Sequence, residues 1–384
     1  QMYANDLNFT PGSGGENGTP VSDGIADAGG IFGSHRFSPL VFDLNGQYGL
    51  QLDPLEGSSV FYDLDNDGFA EQAGWTRTEG FLVRDANGNG LIDNQSEMFG
   101  LTEGGSAWDK LAVYDTNHDG SVAGTERGPL RMWIDADGDG RTDSGELKTL
   151  QQAGVASIDL TRYSDHSTVS GHEIDGMGYW TKTAGGTGSY YDVFFNVSQV
   201  NSWYVGSDLA NPPPVDIETL FLPLSRGYGT LKSLHLAMTE DAGLKAKVEA
   251  LVSATDYAAL GAQVVALLYD WAGVDGVAAT SGGSYVDGRV LNFLERMTDT
   301  PYIGTDTQFR EYDWPVYPQA GGVVLTAWAE AFSELKARLL AQSTFADIVG
   351  GKADRLAAAA GEQHIVIGRQ QLDSDKPVIG ILAF

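Results

Sequence analysis

DTNHDGSVAGTE (115–126) and DADGDGRTDSGE (135–146) decide how this chain is read. Each has the pattern D-x-[DN]-x-D-G with a glutamate at the twelfth place. Side chains at places 1, 3 and 5 can wrap one hard cation, with a backbone carbonyl at place 7 and a carboxylate at place 12 completing the shell. Place 6 must turn with positive φ, which glycine permits. The first stretch offers Asp115, Asn117, Asp119, the Ser121 carbonyl and Glu126; the second offers Asp135, Asp137, Asp139, the Arg141 carbonyl, Asp143 and Glu146. The stretches start too close together for two independent helix–loop–helix units. One short helix over ERGPLRMWI (126–134) is expected to join them, with Pro129 in its first turn, where proline is tolerated. AWDKLAVY is expected to be the helix entering the first stretch and GELKTLQQAG the helix leaving the second.

Two earlier stretches share the design with departures. From Asp63, DLDNDGFAEQAG supplies Asp63, Asp65, Asp67 and the Phe69 carbonyl, but its twelfth residue is Gly74, and Glu71, at place 9, is expected to contribute instead. From Asp85, DANGNGLIDNQSE supplies Asp85, Asn87, Asn89, the Leu91 carbonyl and Asp93, and its carboxylate, Glu97, falls one place late. The four sixth places are Gly68, Gly90, Gly120 and Gly140. DLNGQYG, from Asp43, lacks an acid at place 5 and is set aside. The expected cofactor is Ca2+, at the two complete loops and at up to four sites. Loops this tightly packed suit structural ions better than a sensor with hinged helices.

The charge agrees with that reading. The chain carries 52 acidic and 23 basic residues, a net charge of −29. Phosphate neutralisation needs Lys and Arg, so nucleic acid is excluded as a partner. Residues 43–146 hold 21 acidic and 6 basic residues, about half of the excess. Such density self-repels unless cations neutralise it. With 0 cysteines, disulfides, thiolate metal sites and Cys nucleophiles are excluded. G-x-S-x-G, H-E-x-x-H and the P-loop are all absent from the sequence. No run reaches transmembrane length, and QMYANDLNFTPGSGG has neither the basic start nor the apolar core of a cleaved N-terminal signal.

The domain reading is a flexible Gly/Ser/Asn-rich lead-in over 1–34, a calcium-loop module over 35–207, a Pro-rich linker over 208–215, a helical domain over 216–345 and a tail over 346–384. VASIDLTRYS reads as a strand after a Gly154 helix cap, and HEIDGMGYWTKTAGGTGSYYDVFFNV reads as a hairpin around a glycine turn. Beyond DLANPPPVD, apolar residues recur near the 3.6 period, as in YAALGAQVVALLYDWAG and VVLTAWAEAFSELKARLLAQ. The expected fold class is therefore α+β: an EF-hand-like calcium-loop module with short helices and a β-hairpin, followed by an all-α domain.

The run from SPLVFDLNG (38–46) through VFYDLDNDGF, GFLVRDANGNGLIDNQSEMFG and LRMWIDADGDG to YYDVFF resembles the calcium-binding self-processing module of FrpC-like RTX proteins. The stretch RGYGTLKSLHLAM…VDGRVLNFLE looks like the helical region that follows such modules in large secreted RTX proteins. The resemblance implies type I secretion without a cleaved signal, a calcium-free unfolded state inside the cell and folding outside it. It also implies calcium-dependent cleavage of an Asp-Pro bond at the module's N-terminal edge, where the Asp carboxylate attacks its own carbonyl. This chain has Ser38-Pro39 there, and serine lacks that carboxylate. Its one Asp-Pro bond, Asp53-Pro54, lies inside the module and reads as a turn.

Three functions compete on this reading. The first is a non-catalytic calcium-structured module of a large exported chain, with neighbouring domains as partners. The second is a self-processing enzyme or peptide ligase. The third is a toxin- or adhesin-type module binding a cell-surface or protein ligand through Trp180, Tyr190, Tyr191, Trp203 or Tyr204; strand aromatics more often pack inward.

Overall fold

The computed structural model describes residues 38–46, 49–100, 106–206, 213–256, 258–302, 304–305, 311–312, 316 and 318–343. The expected lead-in and tail, and most of the expected linker, lie outside these residues. The chain divides into two compact units, one spanning Ser34–Pro213 and the other taking in the chain from Pro214 onward.

The first unit is built from strands. They are β1 (Leu40–Phe42), β2 (Phe61–Tyr62), β3 (Phe69–Ala73), β4 (Gly80–Val83), β5 (Ser121–Ala123), β6 (Arg131–Trp133) and β7 (Leu147–Thr149). There follow β8 (Val155–Asp159), β9 (Tyr163–Ser164), β10 (Thr168–Val169), β11 (His172–Lys182), β12 (Thr187–Phe194) and β13 (Val197–Tyr204). Among the described residues one α-helix interrupts them, α1 (Ala107–Ala112), started by a Ser106–Asp109 capping box. Ten strands form one antiparallel sheet in the order β5-β8-β11-β12-β1-β4-β6-β7, with β9 and β10 paired to β11. A second, three-stranded sheet runs β13-β3-β2.

This β-rich architecture overturns the expectation of an EF-hand-like α+β module. The expected helix over 126–134 is a 3-10 turn, Gly124–Arg127, followed by β6. The expected helix after Glu146 is β7. The reason lies in burial on both faces. Val41, Phe81 and Trp133 stand in one cross-strand row and join one apolar cluster. Their chain neighbours Leu40, Phe42, Leu82 and Met132 point the other way and join a second cluster. A strand covered on both faces loses its alternation and reads as a plain apolar run, which periodicity cannot tell from a short helix. The β11–β12 hairpin lies where its sequence indicates, turning through Gly185 and Gly186 at φ 88° and 89°. Gly154 has φ 81°, but it follows turns rather than a helix.

The second unit carries α2 (Leu234–Glu240), α3 (Ala242–Val252), α4 (Leu260–Trp271), α5 (Gly288–Thr298) and α6 (Pro318–Ala341), with a short pair β14 (Gly304–Thr305) and β15 (Glu311–Tyr312). Ser233, Asp241 and Asp287 cap α2, α3 and α5 by accepting from backbone N–H groups of the first turn. Each helix buries one stripe: Leu244, Val248 and Leu251 on α3, and Val264, Leu267, Leu268 and Trp271 on α4. Among the described residues no helix is long and apolar enough to cross a membrane.

Candidate metal centre

All four acidic loops fold alike, and the hydrogen bonds show why the spacing matters. The aspartate at place 1 gathers N–H groups of its own loop. Asp63 accepts from Asn66 at 2.6 Å and Gly68 at 3.1 Å, and Asp85 from Gly88 at 2.7 Å and Gly90 at 3.0 Å. Asp115 accepts from Asp119 at 3.1 Å and Gly120 at 2.9 Å, and Asp135 from Gly138 and Gly140, both at 2.8 Å. The side chain at place 5, that of Asp67, Asn89, Asp119 and Asp139 in turn, accepts from the N–H at place 7 in every loop. The sixth-place glycines have φ from 77° to 90°. Place 4 is left-handed too, at Asn66, Gly88, His118 and Gly138. The sequence signal for this was present, since Asn, Gly and His are the types that tolerate that region.

The closing acid supplies the common geometry. Its carboxylate accepts the N–H of place 2: Leu64 to Glu71 at 3.3 Å, Ala86 to Glu97 at 2.8 Å, Thr116 to Glu126 at 2.9 Å and Ala136 to Glu146 at 2.8 Å. Glu71 and Glu97, out of place in the sequence pattern, thus stand where Glu126 and Glu146 stand. Gly74, at the nominal twelfth place of the first loop, has a steric cause. A Cβ there would lie 2.2 Å from Cε1 of His172. That imidazole is fully buried, accepts the Asn196 N–H on Nδ1 at 2.9 Å and gives its Nε2–H to the Asp53 carbonyl at 2.9 Å. Burial holds its pKa below the ordinary histidine value, so the neutral ring is the stable form.

The loops differ in electrostatics. In the first, oxygens of Asp63, Asp65 and Glu71 lie within 4.8 Å of one another. Burial, with Asp65 and Asp67 adding repulsion, pushes Asp63 up to about 7. Glu71 is raised well above its ordinary value by the same causes, and its Oε1 is buried with no hydrogen-bond partner. In the fourth, Asp135, Asp137 and Glu146 form one close set and Asp137, Asp139 and Asp143 another. Asp135 is pushed up to about 6 by burial, although the Trp75 indole N–H donates to it at 2.7 Å. The third loop is relaxed: Asp119 and Glu126 are lowered, chiefly by the Ser121 hydroxyl and the Ala123 N–H respectively. The second loop satisfies itself, for Asp93 accepts from the side-chain amides of Asn87 at 3.0 Å and Asn89 at 2.8 Å. Position, not residue type alone, therefore distinguishes the loops: the first and fourth gather close sets of carboxylates, with a buried one in each raised by desolvation. Every donor is an oxygen, the ligand type a hard cation takes.

Sequence reading missed Glu79. It is fully buried and holds the Asp43 stretch by accepting from the Leu44 N–H, the Asn45 amide and the Gln51 N–H. Its separation from Asp43 in sequence hides it from any local pattern. The Asp53–Pro54 carbonyl takes two donors, His172 and the Trp75 N–H at 3.0 Å, and so anchors that segment to the sheet. Ser38 is fully buried two residues ahead of β1, and its hydroxyl lies beside the Asp192 carboxyl, which burial pushes up to about 7. Trp180 and Tyr190 are core residues, and Tyr191, Trp203 and Tyr204 are half-buried.

Comparison with known proteins gives two findings. A family model described as SPM domain matches residues 40–196. The "Iron-regulated protein FrpA" of Neisseria meningitidis serogroup C is 30% identical over 254 residues, covering 63% of this chain and 22% of FrpA. The chain thus spans about a fifth of the length of that curated relative.

Proposed function

We propose that this FrpA-like chain is a calcium-structured, non-catalytic module of a larger exported protein. One observation carries the reading. The first loop buries an unpartnered Glu71 oxygen within reach of Asp63 and Asp65 oxygens. A buried anionic atom without a donor is costly unless a cation meets it. Asp63, Asp65, Asp67 and Glu71 would hold one ion, and Asp135, Asp137, Asp139, Asp143 and Glu146 another. The loops at Asp85 and Asp115 are the further candidates. The ion would neutralise like charges that otherwise oppose docking of the small sheet and the fourth loop. The resemblance to RTX proteins supports calcium over other hard cations, and supports export into a calcium-rich medium.

The test is a calcium titration read by near-UV circular dichroism, with a gel of the same samples. A cooperative gain of signal and an intact band are expected. Equal signal in excess chelator would sink the reading. A calcium-dependent cut at Ser38-Pro39 or Asp53-Pro54 would replace it with self-processing.

A further inference from the structure

We propose that the loops at Asp63 and Asp135 fill with calcium as one coupled pair, bridged by the loop at Asp85, while the loop at Asp115 fills on its own. This rests on the calcium reading above and concerns how the sites influence one another.

The bridge is continuous. The Gln95 N–H donates to the Asp63 carbonyl at 3.0 Å, and Asn94 forms a β-bridge with Asp63. The Ile92 N–H donates to the Thr142 hydroxyl at 2.9 Å, which ties the second loop to the fourth. The fourth loop also abuts the strand that feeds the first: a Cβ on Gly140 would lie 2.9 Å from the Phe61 carbonyl oxygen. Between them sits Tyr62, fully buried, its ring 5.4 Å from Trp75 and 5.6 Å from Trp133. The Trp75 indole reaches Asp135, and the Tyr62 hydroxyl is buried without a partner in the field of Asp63, Asp93 and Glu97. Tyr62, Leu64, Ile92 and Trp133, which flank or belong to the three loops, share a single apolar cluster.

The loop at Asp115 belongs to the other face. Its buried Val122 packs with Leu111, Leu130 and Ile158 in the second cluster. Its hydrogen bonds run within itself and to β8, through Leu160 to the Gly120 carbonyl and through the β5 pairing. Among the described residues no hydrogen bond joins it to another loop; the nearest is an exposed 3.4 Å contact between Arg84 and Tyr114, each one residue ahead of its loop. An ion ordering the first loop therefore orders a core that the fourth loop needs, whereas the third loop draws on a different core. Close-packed interiors transmit such shifts, and the resulting coupling is reciprocal.

The experiment is equilibrium dialysis of the full chain against radioactive calcium, with near-UV circular dichroism at saturation to check the fold. Thr142→Val removes the bridging hydroxyl without touching a carboxylate. It is expected to preserve the number of ions and to raise the midpoint of the steep phase about fivefold or more. Glu126→Gln is expected to remove one ion and leave the steep phase unmoved. A steep phase unchanged in Thr142→Val, or weakened in Glu126→Gln, overturns the coupling, as does a Glu126→Gln protein that cannot fold at saturating calcium. Calcium bound in independent phases sinks only this inference; no calcium bound at all sinks the functional reading beneath it.

Discussion

At the scale of single residues, the closing carboxylates and one buried aspartate make the sharpest predictions. Glu71→Gln keeps the side chain's shape and its acceptor for the Leu64 N–H, but removes a carboxyl whose charged form is disfavoured by burial and by Asp65. In calcium the variant is expected to bind one ion fewer. In chelator it is expected to be more stable than the parent at neutral pH, because an uncompensated buried charge is gone. Urea unfolding with and without calcium checks both signs; loss of stability in both conditions would mean that Glu71 serves packing alone. Asp192 lies away from the loops. Its carboxyl is raised from 3.8 to about 7, chiefly by burial. The folded state therefore binds its proton more tightly than the unfolded chain. Its contribution is full below about 4 and is lost as pH rises through about 7. Asp192→Asn is expected to flatten that fall and to stabilise the protein at pH 8 by about 1–3 kcal/mol, less than the full shift because unfolded and relaxed states screen the charge. An unchanged pH profile would refute it.

At the scale of elements, the loops separate what backbone angle demands from what space demands. Gly90 and Gly140 have nearly the same left-handed φ, 82° and 77°. A Cβ at Gly90 meets nothing within 4 Å, whereas one at Gly140 meets Phe61 O and Val60 Cγ1 at 2.9 Å. Gly90→Ala should cost about 1 kcal/mol for conformation alone. Gly140→Ala should cost about 2–4 kcal/mol, because the fourth loop must move off the strand that feeds the first. Equal costs by thermal unfolding in calcium would show that the two loops do not lean on each other. The same elements explain why the loops were legible and their flanks were not. Carboxylates at places 1, 3 and 5 and a glycine at place 6 are set by bonds a few residues long, so the pattern survives in sequence. Whether ERGPLRMWI continues as helix depends on partners: Leu82 and Lys148 lie beside Met132, and both faces are covered.

At the scale of the whole molecule, every acidic loop lies in the unit Ser34–Pro213, and the helices beyond Pro214 carry none. Calcium should therefore act on one unit. Calorimetry is expected to show two transitions, of which chelation lowers one by roughly 10 °C or more and leaves the helical one within about 2 °C. A single transition moving as a whole would show that the units unfold together. The helical unit was legible as helices because its apolar stripes repeat along each segment, as Val264, Leu267, Leu268 and Trp271 do.

By itself the sequence determined the four loops, their left-handed glycines, the acidic excess, the β11–β12 hairpin and the helical second half. All are local: each is set by residues within about one loop or a few turns of one another. Only the tertiary structure decided that β4, β6 and β7 are strands of a sheet buried on both faces. It alone brought Glu71 onto the place-2 N–H that the twelfth residue holds elsewhere, packed His172 against Gly74, and drew Glu79 to the Asp43 stretch across 34 to 35 residues. These are long-range pairings, and a chain reveals them only when packing brings together groups that its order keeps apart.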